Sequence, residues 1–482
     1  MSPLGTTRRR ARRLLSLCLL LTLLTARGWG GDAVARTGVA PPAGASAAEL
    51  AATREGRLRV FDEVWALVRE RYYDPKLRGL DWPALGTEAR SRAAEAADNE
   101  ELYAVLRRLL AHLRDPHTRV FPPGEGADWR VKTFVTVGLA AREAGGEIVV
   151  SEVERGSAAW RAGVRAGDLV VSVDGEPAAD LLARRAEERP LTSPQTTRLL
   201  AAARLFDGPR GTTAEAVFRR GGRLTPVGLR REQRVRAPAF ESHELGDGVR
   251  LVGFNIFTAE TAARLARALG GATREASALV IDLRENGGGD AESMTDAASI
   301  FLPAGTSLGA FTDRAGRVRL DPRTRAALLL SADVLPRFRG AVAVLTGPRT
   351  ASAAEVFAAA LAEEGRATVV GERSCGCVLG ISRRHTLPDG GTLDISETDY
   401  RTARGTRLEG SGVAPDYEVA PTREDLRVGR DAALARAAEL VRARRARAGG
   451  RRAAATPSRV DENGAAAQGR RGAVMKEKPS GS

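Results

Sequence analysis

The stretch 341–378, AVAVLTGPRTASAAEVFAAALAEEGRATVVGERSCGCV, constrains the fold more than any other, because a buried strand must stop and restart as a helix with one serine at the joint. Ala341 to Thr346 is an apolar, β-prone run closed by Gly347 and Pro348, the pattern of a core strand. Ala353 to Glu363 carries Val356, Phe357, Ala360 and Leu361 at helical spacing and ends at Gly365. Ser352 is thereby predicted at a helix N-terminus, where unpaired N–H groups and the positive end of the dipole favour an anion. The oxyanion of an acyl transfer has that requirement. Serine is equally a favoured N-cap with no further role.

A second stretch repeats the pattern. Ala278 to Leu283 reads as a buried strand, Gly287, Gly288 and Gly289 as a loop able to bring bare amides close to a ligand, and Ala291 to Phe301 as a helix. Two strand–loop–helix units imply a crossover α/β layer whose loops converge at the strand C-terminal ends. Neither a GxGxxG nor a P-loop is present, which argues against phosphate binding.

With FDEVWALVRERYYD, LRDPHTRVF, IDLRENGGG, TASAAEVFAAAL, VVGE and LEGSGVAPD in this order, residues 57 to 420 resemble the C-terminal-processing (tail-specific) serine peptidases and their tricorn-like relatives. The resemblance implies a multidomain α+β and α/β chain: an N-terminal helical domain, a PDZ-like β domain and a ClpP/crotonase-like peptidase core. It implies Ser352 as nucleophile, with the Ala353 N–H and a glycine-loop N–H, that of Gly288, as oxyanion donors. The lysine that serves as base in the processing branch falls on Cys377, and the glutamine four residues later on Ile381. The four lysines, Lys76, Lys132, Lys476 and Lys478, lie outside the presumed core, so a serine–lysine dyad is not expected. A serine hydroxyl needs a base, and the tricorn-like branch carries a histidine where this chain has His117. His385 is the second candidate; His112 reads as structural, and His243 as part of a polar loop. Tricorn-like sites also use a glutamate acting on the histidine through a serine. Glu409 falls at that position, but Pro116 replaces the serine, leaving Thr118 or a water as the link.

The chain opens with five arginines in 8–13 and an apolar run of 13 residues, Leu14 to Ala26, followed by small residues around Ala33 and Ala35. This is the pattern of an export signal over 1–35, and the run is short for a membrane span. The placement is therefore exported, periplasmic or extracellular. Residues 36–56, rich in Ala, Pro and Gly, read as a linker.

The net charge of +14 suggests a nucleic-acid binder until it is located. Residues 1–35 carry +5 and residues 426–482 carry +9, so the body from 36 to 425 is neutral. Nucleic acid is excluded as a partner on that basis. The Arg-rich segment 426–482 reads as a disordered tail after a short helix, with peripheral contact to anionic envelope surfaces as one use for it.

Residues 57–130 are expected to be the helical domain and 235–425 the peptidase core. Between them, 131–228 look like a PDZ domain, strongest at ERGSAAWRAGVRAGDLVVSVDGEP, with strand Leu169 to Val173 and a hairpin at Asp174-Gly175. Such a module adds an extended peptide as a strand. The resemblance assigns its terminal carboxylate to the loop of Val137, Gly138 and Leu139. Residues 184–206 exceed a minimal PDZ, which suits a gate or spacer.

Cys375 and Cys377 are the cysteines left once the leader is removed. They read as buried thiols, a local disulfide or a bond to another chain, and no zinc-ligand spacing is present. No cofactor or metal is expected. Two functions remain: an exported serine endopeptidase acting on polypeptides bound as extended strands, or a catalytically inactive peptide-binding or scaffold protein on the same fold. The sequence leaves the oligomeric state open.

Overall fold

A computed structural model describes residues 50, 52–126, 130–270, 278–326, 329–330, 333–334 and 337–454. The expected signal segment, most of the linker and residues 455–482 lie outside the described residues.

Three helices come first: α1 (Arg54–Arg71), α2 (Trp82–Glu95) and α3 (Asn99–Ala111). The side chains of Thr53, Asp81 and Asp98 cap them by accepting N–H bonds from the first turn. The stripes Val60, Phe61, Val64, Val68 and Leu102, Leu106, Leu109, Leu113 meet around Tyr72 and Trp82 in one core. After α3 the chain turns through Asp115 to Thr118 into strand β1 (Arg119–Phe121).

The PDZ-like region follows. Its elements are β2 (Lys132–Thr136), β3 (Leu139–Ala144), β4 (Glu147–Val153), α4 (Ala158–Arg161), β5 (Leu169–Val173), β6 (Glu176–Pro177), α5 (Ala178–Glu188), α6 (Pro194–Ala203), β7 (Thr213–Arg220), β8 (Arg223–Arg230) and β9 (Glu232–Arg236). Strands β3-β4-β5-β7-β8 form an antiparallel sheet, while β2 and β9 pair as a separate ribbon through which the chain enters and leaves. Asp174 and Gly175 both have positive φ, as a two-residue hairpin turn requires, and β5 and β6 pair across them.

The remaining chain builds two further sheets. The first uses β10 (Phe240–Glu244), β11 (Val249–Phe254), α7 (Ala259–Ala268), β12 (Ala278–Asp282) and α8 (Ala291–Ser299). After β13 (Ala310–Asp313), β14 (Val318–Leu320), β15 (Leu329–Leu330) and β16 (Asp333–Val334) come β17 (Val342–Thr346), α9 (Ala353–Glu363) and β18 (Thr368–Gly371). The chain then forms β19 (Gly380–Thr386), β20 (Thr392–Arg401), β21 (Tyr417–Glu418), α10 (Arg423–Val428) and α11 (Ala432–Ala454). The order of the first sheet is β10-β11-β12-β17-β18-β21, parallel from β11 to β21, with β10 antiparallel at the edge. In the second sheet β20 pairs with β1, β13 and β19, so the segment that follows His117 is stitched directly onto the core.

Both faces of the parallel sheet are buried. Leu279, Ile281, Val342, Val344 and Val369 face α7, α8 and α9, and the alternate residues Ala278, Val280, Ala343, Leu345 and Val370 face α11 through Ala433, Ala437 and Val441. Strands covered on both sides read as continuous apolar runs, as ALVID and VAVLT do. This corrects the expectation of a disordered tail from 426: over 432–454 the chain is a helix, and its apolar residues at i, i+4 and i+8 close the second face of the sheet. His243, expected in a loop, lies within β10. Among the described residues, no helix is long and apolar enough to cross a membrane.

Candidate active site

Ser352 closes the loop between β17 and α9 with φ 56° and ψ −124°. An ordinary N-cap residue is extended, and a non-glycine residue at positive φ is held there against its own preference. The restraints are visible. The Ser352 N–H donates to the Cys377 carbonyl at 2.8 Å and to Glu355 Oε2 at 3.1 Å, and the Ser352 carbonyl accepts from Glu355 and Val356. Thr350 Oγ1 ties the approach to the Leu283 carbonyl, and the Ala351 N–H donates to the Asn286 carbonyl. These bonds lock the β17–α9 loop onto the glycine loop that follows β12.

The glycine loop packs against Ser352 closely enough to exclude a side chain. A Cβ on Gly288 would lie 2.6 Å from Ser352 Cβ and 2.9 Å from the Ala351 carbonyl, and Gly288 has φ +98°. Its N–H, however, already donates to Asn286 Oδ1 at 2.9 Å, while Asn286 Nδ2 is fixed by the Phe254 carbonyl. Of the two expected oxyanion donors, Gly288 therefore supplies close approach but has its amide occupied. Ala353 begins α9, where first-turn N–H groups have no intrahelical acceptor.

Glu355, three residues after Ser352, is buried and accepts four bonds: from Ser352 N–H, Ser374 Oγ (2.6 Å), Gly376 N–H (2.8 Å) and Cys377 N–H (2.9 Å). Burial pushes its carboxyl up to about 7, against the pull of those donors. Cys375 and Cys377 form a disulfide. The loop that a lysine-dyad enzyme would use for its base is thus a disulfide ring whose amides hold Glu355.

His117 and Ser352 line the same cleft of about 2740 Å³, together with Ala353, Met294, Val356 and Leu379. His117 is held through its neighbour: Asp115 Oδ1 accepts the His117 N–H at 2.8 Å and lies 3.7 Å from the ring Nδ1. Nδ1 is buried beside that carboxylate, and the imidazole lines the cleft. Asp115 Oδ2 takes Thr118 Oγ1 at 2.6 Å, and Thr118 in turn accepts the Ser396 N–H from β20. Burial pushes the Asp115 carboxyl up, but the bonds and charge of His117, with the Thr118 hydroxyl, outweigh it and hold the group at about 2.

Glu409 has its own partners. It is buried, and its Oε1 pairs with Arg78 at 2.8 Å and Thr192 Oγ1 at 3.3 Å, while Oε2 accepts the Val378 N–H at 3.0 Å. Among the described residues no hydrogen bond joins it to His117, and Thr118 points to Asp115 instead of bridging. A carboxylate this deep needs a charged partner, and Arg78, far away in sequence, satisfies it. The carboxylate beside the histidine is Asp115, which the sequence signalled as an Asp two residues upstream, the spacing of an Asx turn.

His385 is buried in β19 with Nε2 on Glu397 Oε1 at 3.1 Å and is not among the cleft residues; burial lowers its pKa, opposed by Glu397. His112 caps α3 with Nδ1 on the Arg108 and Leu109 carbonyls, a structural role. In the expected carboxylate loop, Val137 is buried, Gly138 has φ +79°, and Leu139 opens β3. The Gly138 N–H is taken by Thr136 Oγ1 at 3.0 Å, so that amide too has an acceptor within the chain.

Comparison with known proteins covers each part. Residues 248–419 match Peptidase family S41, 54–111 the tricorn protease C1 domain and 149–185 the PDZ domain. The chain is 29% identical over 379 residues to the chloroplastic C-terminal processing peptidase of Tetradesmus obliquus, covering 75% of this chain and 77% of that one. It is 25% identical over 381 residues to the carboxyl-terminal-processing protease of Synechocystis sp., covering 77% and 82%. The solved photosystem II D1 C-terminal processing protease superposes with a TM-score of 0.50 at 26% identity, over 76% of this chain and 93% of that one. Mature CPAF complexed with lactacystin shares the fold, with a TM-score of 0.59 at 14% identity over 81% and 98%.

Proposed function

This chain is a serine-type peptidase of the C-terminal-processing, tricorn-like kind with a PDZ domain, and from that premise we propose that it is exported and works through an acyl-enzyme at Ser352 with His117 as base. Its substrates are polypeptides. The observation that carries the reading is the pairing in one cleft of a serine held at positive φ on a helix N-terminus and a histidine backed by a buried carboxylate.

In this reading an extended polypeptide lies along the cleft. His117 Nε2 takes the Ser352 proton as the hydroxyl oxygen attacks the scissile carbonyl carbon. Asp115 acts behind the ring, keeping Nδ1 toward itself and favouring the imidazolium that forms. The carbonyl oxygen, now negative, takes the Ala353 N–H at the positive end of α9, and Gly288 joins when Asn286 releases its amide. Collapse expels the amine, which receives the proton from His117. Water repeats the sequence on the ester and frees Ser352. A lysine is dispensed with because a histidine comes from the turn after α3.

Export is supported by the arginine-rich, apolar leader and by a disulfide, a bond that persists in oxidising compartments. The test is cleavage of unfolded casein by the mature protein from pH 5 to 9. Ser352→Ala and His117→Ala are expected to abolish it, and wild-type activity to rise from acid toward neutral pH. Full activity in His117→Ala would remove His117 as the base.

A further inference from the structure

The Cys375-Gly376-Cys377 ring is not used by the chemistry above, yet every peptide group around it holds part of the site. The Cys377 carbonyl accepts the Ser352 N–H, and the Gly376 and Cys377 N–H groups donate to Glu355, which itself accepts Ser352 N–H. Cys375 N–H donates to the Thr350 carbonyl two residues before the serine, and the Cys375 carbonyl accepts Thr196 Oγ1 from α6. On the far side the Gly376 carbonyl accepts Gly410 N–H, next to Glu409. Gly376 is packed so tightly, with φ +69°, that a Cβ there would lie 2.9 to 3.0 Å from the backbone of residues 410 to 412. The two Cα atoms stand 5.2 Å apart, within the range a disulfide spans, and both cysteines line the cleft that contains Ser352.

We propose that this disulfide is a thiol-exchange site that switches the peptidase: oxidised, it fixes the loop that holds Ser352 in its left-handed conformation; reduced, it lets the loop relax and the serine leave that conformation. The partner chemistry is a small-molecule dithiol entering through the cleft, whose wall the two largely buried cysteines line. One dithiol thiolate attacks a ring sulfur, breaking the Cys375–Cys377 bond and forming a mixed disulfide. The second thiol displaces the remaining cysteine. The balance is one dithiol oxidised to its disulfide, with two electrons and two protons appearing as the Cys375 and Cys377 thiols. Ser352 strain makes the loop decisive, because a serine at positive φ stays there only while its surroundings impose it.

The inference rests on Ser352 being the nucleophile. The experiment uses the mature wild type, oxidised or treated with dithiothreitol, with alkylation and intact mass to count thiols. The readout is the rate at which a fluorophosphonate labels Ser352, together with casein cleavage. The expected result is that wild type with two alkylatable thiols labels at least 10-fold more slowly than oxidised protein and recovers after reoxidation. Cys375→Ala/Cys377→Ala is expected to behave as reduced wild type and to ignore dithiothreitol, with its circular dichroism spectrum reporting on folding. Reduced protein that labels at the oxidised rate overturns the switch while leaving Ser352 as nucleophile. Oxidised wild type that labels no faster than Ser352→Ala removes both.

Discussion

Asp115→Asn is the sharpest test of how the histidine is held. Asp115 is fully buried and accepts the His117 N–H, approaches the ring Nδ1 at 3.7 Å and accepts Thr118 Oγ1 at 2.6 Å. These partners lower its carboxyl from 3.8 to about 2. A folded-state pKa below the unfolded one contributes stability that is present above the unfolded value and is lost as pH falls through the folded value. At roughly 1.4 kcal/mol per unit, the shift corresponds to about 2 kcal/mol at neutral pH. Urea denaturation at pH 7 is expected to show Asp115→Asn less stable by about that amount. The gap should close as pH drops from near 4 toward 2, where the wild-type carboxylate itself is protonated. Activity should fall as well, since a general base contributes roughly 10²- to 10⁴-fold and a loosely held ring forfeits part of it. The loss should appear in kcat with KM little changed, because Asp115 does not line the cleft. Equal stability at pH 7 together with unchanged kcat would refute the reasoning.

Three further outcomes follow from the packing. Arg78→Met leaves Glu409 buried without its cation, and a loss of roughly 3–5 kcal/mol is expected, largely recovered in the Arg78→Met/Glu409→Gln double variant; an additive cycle through Arg78→Met and Glu409→Gln would contradict the pairing. Gly288→Ala drives a methyl to 2.6 Å from Ser352 Cβ at a positive φ, so turnover should be lost and Tm lowered, and normal turnover would show that the loop stands off from the serine. Ala437→Asp puts a carboxylate between α11 and the parallel sheet, where it is expected to destabilise by several kcal/mol in urea; a neutral effect would mean that the helix does not cover that face.

What was readable in the sequence was local. The change from a continuous apolar run to a 3.6-residue apolar period around Ser352 marked both β17 and α9, and the Asp174-Gly175 pair marked its hairpin. The two-residue spacing of Cys375 and Cys377 admitted a disulfide without selecting it. What was not readable were partners distant in sequence. Nothing near Glu409 announces Arg78, 331 residues away, whose cation pairs with that buried carboxylate. The Arg-rich composition after 426 concealed Ala433, Ala437 and Val441, yet ALVID and VAVLT, apolar on both faces, already required a cover that the helices between strands could supply on one side only. Asp115 was a local signal that lay in plain view beside His117.

The central claim is that Ser352 is a nucleophile activated by His117. Its most direct test is intact-mass and peptide mapping of the mature protein after reaction with a fluorophosphonate at neutral pH. The account predicts a single adduct on the peptide containing Ser352, none on Ser352→Ala, and labelling of His117→Ala slowed by roughly 10² or more. An adduct on Ser352→Ala at the wild-type rate, or His117→Ala labelling as fast as wild type, would contradict it.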